Sequence, residues 1–329
     1  MIHFLQLIRI KNLIIIALTM YAVRFFYFTI GGKINVDILF EQFNFFLLTL
    51  STICIAGAGN IINDYFDVKA DKINRPEKLI VTKYITKRKA IIWHWVLNGI
   101  GFLIACHLSI FYQTFWYVFI HLISINALWL YSVYFKRKFI IGNVLIASLT
   151  ALVVLLSGFH FYHVCQYDLH PILEAKISIP KSLDHAIIYW KNLFLDAGNF
   201  IFLLCFFAFV LNLGREIVKD MEDVEGDTLL KAKTIPIVLG TTSAKWIAFV
   251  ILSSVPIFYI LFLALTITDH HLVHLIATLP VFTASCLVVI ALFLLISLQT
   301  TSKNLKTIDK IIKLAMLVGV ITPFYWWVL

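Results

Sequence analysis

Apolar residues fill this chain in long runs separated by short polar stretches. Nine runs can be drawn, near residues 12–31, 43–63, 90–111, 113–134, 139–159, 197–217, 243–267, 273–298 and 310–329. Each is long enough to cross a hydrocarbon layer about 30 Å thick as a helix, and too long for a barrel strand. Helices also satisfy their own backbone hydrogen bonds, as lipid demands of any open-ended element. The pattern therefore predicts an all-α integral membrane protein, a bundle of about nine transmembrane helices folded as one domain over residues 1–329. Composition agrees, because with 61% hydrophobic and 14% charged residues there is too little polar surface for a soluble domain of 329 residues. The first run is too long for a cleaved signal peptide and lacks a small-residue cleavage site. The five cysteines are scattered, show no metal-ligand spacing, and read as small packing residues.

Charge orients the spans. An odd number of spans puts the N-terminus on the same side as the loops after the second, fourth, sixth and eighth runs. That side holds all but five of the 27 basic residues, the exceptions being Arg24, Lys33, Lys176, Lys181 and Lys191. Such a bias assigns it to the cytoplasm. The net charge of +9 thus reports topology and affinity for anionic membrane lipid, with no nucleic-acid partner expected. Between the fifth and sixth runs, residues 160–196 read as a long non-cytoplasmic loop, in which the segment 182–195 has the pattern of an amphipathic interfacial helix. Arg24 lies near the outer end of the first run, where an arginine is expected to snorkel to the interface. His94, His107 and His121 read as hydrogen-bonded packing residues, and the spacing of His160, His163 and His170 is not that of a metal site.

Acid is distributed differently. Ten of the 18 acidic residues fall in two stretches on the same predicted side: Asp64, Asp67, Asp71 and Glu77, then Glu216, Asp220, Glu222, Asp223, Glu225 and Asp227. Asn63, Asp67 and Asp71 recur every four residues, so they form one stripe if the second helix continues past its hydrophobic boundary. Asp223 and Asp227 repeat the step. Carboxylates at this spacing repel one another unless a cation sits between them, and oxygen-only donors suit a hard ion such as Mg²⁺. An EF-hand reading of residues 220–227 fails, because Glu225 stands where that loop needs glycine. Two acidic, metal-loaded clusters at the mouth of a greasy bundle can clamp a diphosphate while the interior holds its apolar tail. Ionisation of an allylic C–O bond, in a chamber that shields the cation from water, would then allow capture by a second substrate.

These segments resemble a known family. The stretch NDYFDVKAD (63–71), continuing into INRPEKLI, is similar to the NDxxDxxxD signature of the UbiA superfamily of intramembrane prenyltransferases. REIVKDMEDVEGD (215–227) followed by KAKTIPIVLG (231–240) resembles the second aspartate motif and its Thr-Ile-Pro segment. LYSVYFKRKFIIGN (130–143), with Tyr131, Lys136 and Asn143, is similar to the family's Tyr/Lys segment, and Asn12 occupies the place of a family asparagine. Lys11 stands where the family usually has proline. The resemblance implies a nine-helix bundle with Mg²⁺-binding motifs under cytoplasmic cap loops. It implies that Asn63, Asp67 and Asp71 bind one metal and Asp223 and Asp227 another, with Asp64 and Asp220 in support. Arg75, Lys136 and Lys219 would neutralise the diphosphate, with Tyr131 nearby. Asp67, Asp71, Asp223, Asp227, Tyr131 and Lys136 would then be catalytic.

The second motif is most similar to the branch of geranylgeranylglycerol-phosphate geranylgeranyltransferases. This implies transfer of a prenyl group from an isoprenoid diphosphate donor to a lipid-soluble acceptor, a prenylglycerol phosphate, in a bacterial or archaeal cytoplasmic membrane. An aromatic-acid prenyltransferase of quinone biosynthesis is the alternative acceptor class. A membrane transporter is the alternative of another kind, but its intramembrane charges would belong at the midplane, with paired broken helices. The charge asymmetry makes a direct prediction. Cysteines placed at positions 70 and 224 should be labelled by an impermeant maleimide from the cytoplasmic side, and one at 178 from outside; labelling of 70 and 224 from opposite sides would exclude a shared site.

Overall fold

The computed structural model describes residues 2–31, 38–74, 76–174, 181–266 and 279–328. Among these the chain is helical and contains no strand beyond an isolated bridge between Val81 and Ile85. The short α1 (Ile2–Leu7) leads into α2 (Ile10–Gly31), α3 (Ile38–Asn74), α4 (Lys87–Phe111), α5 (Trp116–Val133), α6 (Ile141–Glu174) and α7 (Lys181–Glu222). Two short helices follow, α8 (Val224–Leu229) and α9 (Ile235–Leu239). The last three are α10 (Thr241–Thr266), α11 (Leu279–Ser297) and α12 (Ser302–Val328). Among the described residues, seven helices are long and apolar enough to cross a membrane, namely α3 to α7, α10 and α11. Helices α2 and α12 coincide with the first and last apolar runs.

Packing runs in a closed circuit, α2 on α3, α3 on α5, α5 on α6, α6 on α7, α7 on α12 and α12 back on α2. Helix α4 backs α3 and α5 from outside, while α10 and α11 back α7 and α12. On the second flank Ile217, Val218, Leu252, Val288, Leu295 and Ile312 form a fully buried core. On the first, a cluster around Leu7, Leu13, Ile61 and Val81 serves the charged end, and Met20, Phe45, Leu48 and Tyr117 the other. Helix α2 also crosses towards α6 and α7, where Val23, Val154 and Ile201 pack together. The α3–α4 pair is especially close: a Cβ on Gly101 would lie 2.8 Å from Ile55 Cγ1 and 3.0 Å from the Ser51 carbonyl. Only glycine lets the two backbones approach this far.

Several expectations change. The stretch 160–196 is not a long loop, because α6 continues to Glu174 and α7 begins at Lys181. Neither Pro171 in α6 nor the Gly198–Asn199 pair in α7 breaks its helix, so both elements extend well past the flanking apolar runs. The amphipathic 182–195 segment is accordingly part of α7. Position 178 lies outside the described residues. Arg24 does not reach outward: it is buried, with its guanidinium 4.8 Å from the centroid of the Phe45 ring. In a low-dielectric interior that cation–π contact competes with the pull of the interface. Ala70 is also buried, so Lys72, which is exposed on the same helix, is the better position for the labelling test. The histidine expectation stands for two of three. His94 bonds the Ala58 carbonyl at 2.9 Å and Asn98 at 3.1 Å, and His121 bonds Ser51 at 2.8 Å and the Tyr117 carbonyl at 2.8 Å. His107 is exposed beside Phe111.

Candidate active site

Helix α3 has 37 residues, about 55 Å of helix, against a hydrocarbon layer of about 30 Å. Its C-terminal turns therefore run on beyond the apolar part and carry Asn63, Asp67 and Asp71 as a continuous stripe, all three lining one large cavity. Asn63 Nδ2 donates to Asp67 Oδ2 at 2.8 Å, which ties the first two rungs together. The second acidic row is built differently. Helix α7 ends at Glu222 and α8 starts at Val224, so Asp223 sits at the junction rather than within one helix. The four-residue step survives because Asp227 N still donates to the Asp223 carbonyl at 3.0 Å. Asp220, Asp223 and Asp227 line the same cavity as the first stripe.

Several carboxylates at this mouth are met in different ways. Lys136, in the 3₁₀ turn Phe135–Arg137 between α5 and α6, donates to Asp67 Oδ2. Burial, the largest influence on this ammonium, works against its charge, but Asp67, with Tyr131 and Asp227, outweighs it and raises the pKa above that of an ordinary lysine. Asp64 is held by Arg9 at 2.7 Å, and Asp220 accepts from Asn143 Nδ2 at 2.7 Å. Lys219 is turned to Glu216, 3.1 Å away, and Arg215 joins Glu216 at 2.8 Å to Asp309 at 2.9 Å. Asp227 is pushed up to about 6, first by burial and then, against the pull of Lys136, by Asp223 and Asp67. Tyr131 lines the cavity at the end of α5. Arg75 lies outside the described residues.

Sequence reasoning misses Arg9 and Asp309. Arg9 reads along the chain only as topological charge, yet it pairs with a residue 55 positions away. Its own backbone is left-handed, φ 55°, at the bend between α1 and α2, and α1 places His3, Leu5 and Gln6 on the cavity. Asp309 carries a signal that could have found it, since it is the one acid inside the run Lys303, Lys306, Lys310 and Lys313.

Among the described residues no three His, Cys or acidic side chains converge as a ready-made metal cluster. The donor set nevertheless fits a hard cation. Asn63 Oδ1 is buried with no hydrogen-bond donor, an oxygen whose burial is costly unless something positive reaches it. Mg²⁺ needs only one or two carboxylates from protein and completes its shell with water and phosphate. Below the mouth the cavity, about 1330 Å³ in volume, becomes apolar. Ile16, Ile55, Leu128, Val153, Phe207 and Leu211 are among the residues that line it.

The model of the UbiA prenyltransferase family matches residues 16–317. The chain belongs to the UbiA prenyltransferase family. It is a membrane-embedded prenyltransferase, and the transporter reading falls. Among curated members, digeranylgeranylglyceryl phosphate synthase of Methanobrevibacter smithii is 28% identical over 286 residues, 84% of each chain. A solved structure concerning digeranylgeranylglyceryl phosphate synthase in membranes has a TM-score of 0.59 at 22% identity, covering 98% of this chain and 96% of that one. A UbiA homologue from Archaeoglobus fulgidus, solved with dimethylallyl diphosphate and Mg²⁺, has a TM-score of 0.52 at 16% identity, over 98% of this chain and 99% of the other. Both structures share this UbiA fold.

The turn that presents Lys136 is wedged against the first turn of α6. A Cβ on Gly142 would stand 2.8 Å from the Phe135 carbonyl oxygen and 3.1 Å from Lys136 Cα. Gly142→Ala should therefore push the turn outward and lower prenyl transfer by about 100-fold, the scale set by a displacement of about 1 Å at a reacting site. Steady-state kinetics beside a melting curve checks this, and wild-type turnover in a folded variant would show that the turn can yield.

Proposed function

We propose that this UbiA prenyltransferase uses Mg²⁺ to transfer a prenyl chain from an isoprenoid diphosphate to a prenylglycerol phosphate, with its mouth facing the cytoplasm and the whole chain acting as one domain. Asn63, Asp67 and Asp71 would hold one ion and Asp223 and Asp227 the other. When bound, the metal supplies positive charge to the departing diphosphate. The chain's own residues do the rest. Asp64 and Asp220, held by Arg9 and Asn143, would brace the helix ends behind the ligands. Lys136 is charged, sits within reach of both acidic rows, and is suited to the diphosphate oxygens. Lys219 and Arg75 would assist it. The apolar walls exclude water while the allylic C–O bond breaks, and the acceptor hydroxyl then forms the new C–O bond as its proton passes to the released diphosphate.

The observation that carries this reading is one large cavity with two acidic rows at its mouth and apolar walls beneath them. Pockets for a single small ligand run to about 1,000 Å³, and this one reaches about 1330 Å³. Extra room favours two long chains over one chain and a flat aromatic ring. The names of the curated relatives point the same way.

Asp67→Asn and Asp223→Asn should each lower turnover by about 100- to 1000-fold while the protein stays folded. Chelation of the wild type should do the same and added Mg²⁺ should reverse it; wild-type rates in excess chelator would exclude the metal reading. The acceptor is tested separately, by offering geranylgeranyl diphosphate with equal amounts of geranylgeranylglycerol phosphate and hydroxybenzoate and weighing the products. A dominant prenylated aromatic acid would assign the enzyme to quinone synthesis instead.

A further inference from the structure

One basic row at the cavity mouth is not accounted for by the acidic stripes. Lys306, Lys310 and Lys313 lie four and three residues apart on α12, hence on one face, and all three line the cavity. Lys303, one turn earlier, does not. The row is only partly neutralised. Glu222 approaches Lys306 at 3.8 Å. The two oxygens of Asp309 are already engaged, one by Arg215 Nε at 2.9 Å and the other by Lys313 Nζ at 2.6 Å. Lys310 has no acidic partner among the described residues. A positive-inside loop would spend its lysines on solvent; here the side chains of Lys306 and Lys313 are half-exposed towards a cavity that continues into the apolar chamber.

The placement of this row matters more than its charge. Lys136 answers Asp67 on the α3 side of the mouth, whereas α12 packs on α2, α7 and α11. The mouth therefore has two separate cationic walls. A donor diphosphate met by Lys136 and metal has no need of the second. An acceptor whose phosphate lies one carbon from its reacting hydroxyl does need it. It brings a dianion close to the more highly charged diphosphate, and without its own cations the repulsion would hold the hydroxyl away.

We propose that Lys306, Lys310 and Lys313 form the seat for the acceptor's phosphate monoester, so that α12 selects a phosphorylated lipid while the aspartate rows handle the donor. This rests on the proposed acceptor class and adds the residues that recognise it. A side chain that makes a charge-assisted bond to such a group contributes binding without touching the reacting carbon. The effect therefore falls on acceptor affinity.

The test titrates geranylgeranylglycerol phosphate into donor-free protein in neutral detergent, then measures KM for each substrate. Lys310→Gln should weaken acceptor binding and raise its KM by about tenfold, and Lys306→Gln/Lys310→Gln by about 100-fold, with KM for geranylgeranyl diphosphate unmoved. Lys310→Arg, which keeps the charge, should recover most of the affinity, and Lys303→Gln should change nothing. Excess phosphatidylglycerol should not displace the acceptor. The seat is refuted if Lys303→Gln and Lys310→Gln act alike, if phosphatidylglycerol competes, or if the donor KM moves in place of the acceptor KM. If the wild type prenylates the phosphate acceptor and Lys310→Gln is silent, only the seat fails. If the wild type prefers an aromatic acid, the acceptor reading fails and the seat falls with it.

Discussion

Carboxylates set at the edge of an apolar interior must be met by positive charge, and the ways this chain meets them organise everything at its mouth. Asp67 is matched by Lys136, Asp64 by Arg9, and Glu216 by Arg215 and Lys219. The first two join α3 to the α5–α6 turn and to the hinge before α2; the third lies within α7, and Arg215 goes on from it to tie α7 to α12 through Asp309. Removal of one member would leave its partner's charge partly buried and uncompensated, a larger loss than the net worth of the pair. The pairs therefore fix the relative positions of the circuit's helices at the end where hydrophobic packing alone would leave them free to slide.

The same charges divide into two kinds. Some carboxylates, such as Asp64 and Glu216, are saturated by basic side chains and serve as framework. Other acceptors keep unused capacity: the Asn63 carboxamide oxygen is buried without a donor, and the Asp227 carboxyl is shifted upward by burial and neighbouring acids. Residues with unmet demand line the cavity alongside the saturated ones, and they are where a substrate with its own cations gains most. Framework and demand lie within a few residues of each other, as between Asp64 and Asn63.

Much of this is legible in the amino-acid sequence. Lipid forces a regular helix on each apolar run, and each run falls on a long helix among the described residues. Asn63, Asp67 and Asp71 can be aligned by counting because α3 does not break at the hydrophobic boundary. Counting fails where contacts are distant in sequence. Nothing in the spacing says that Arg9 will find Asp64, or that Arg24 turns inward to Phe45. It also fails at 160–174 and 181–196, where polar and aromatic residues look like a loop and the chain is helical. The second acidic row belongs at the mouth as its spacing suggests, yet its helix is interrupted at Asp223, a local event that a four-residue step alone does not reveal.

The turn that carries Lys136 is fastened in one more way. The Lys233 amide donates to the Arg137 carbonyl at 2.9 Å, so two loops nearly a hundred positions apart are stitched backbone to backbone. Such a stitch is indifferent to which side chains occupy the two loops but depends on the number of residues in each. Relatives that diverge freely in spelling across 135–138 and 231–233 would still have to conserve the length of both stretches. Proline at 233, which has no amide hydrogen, is the substitution this arrangement forbids.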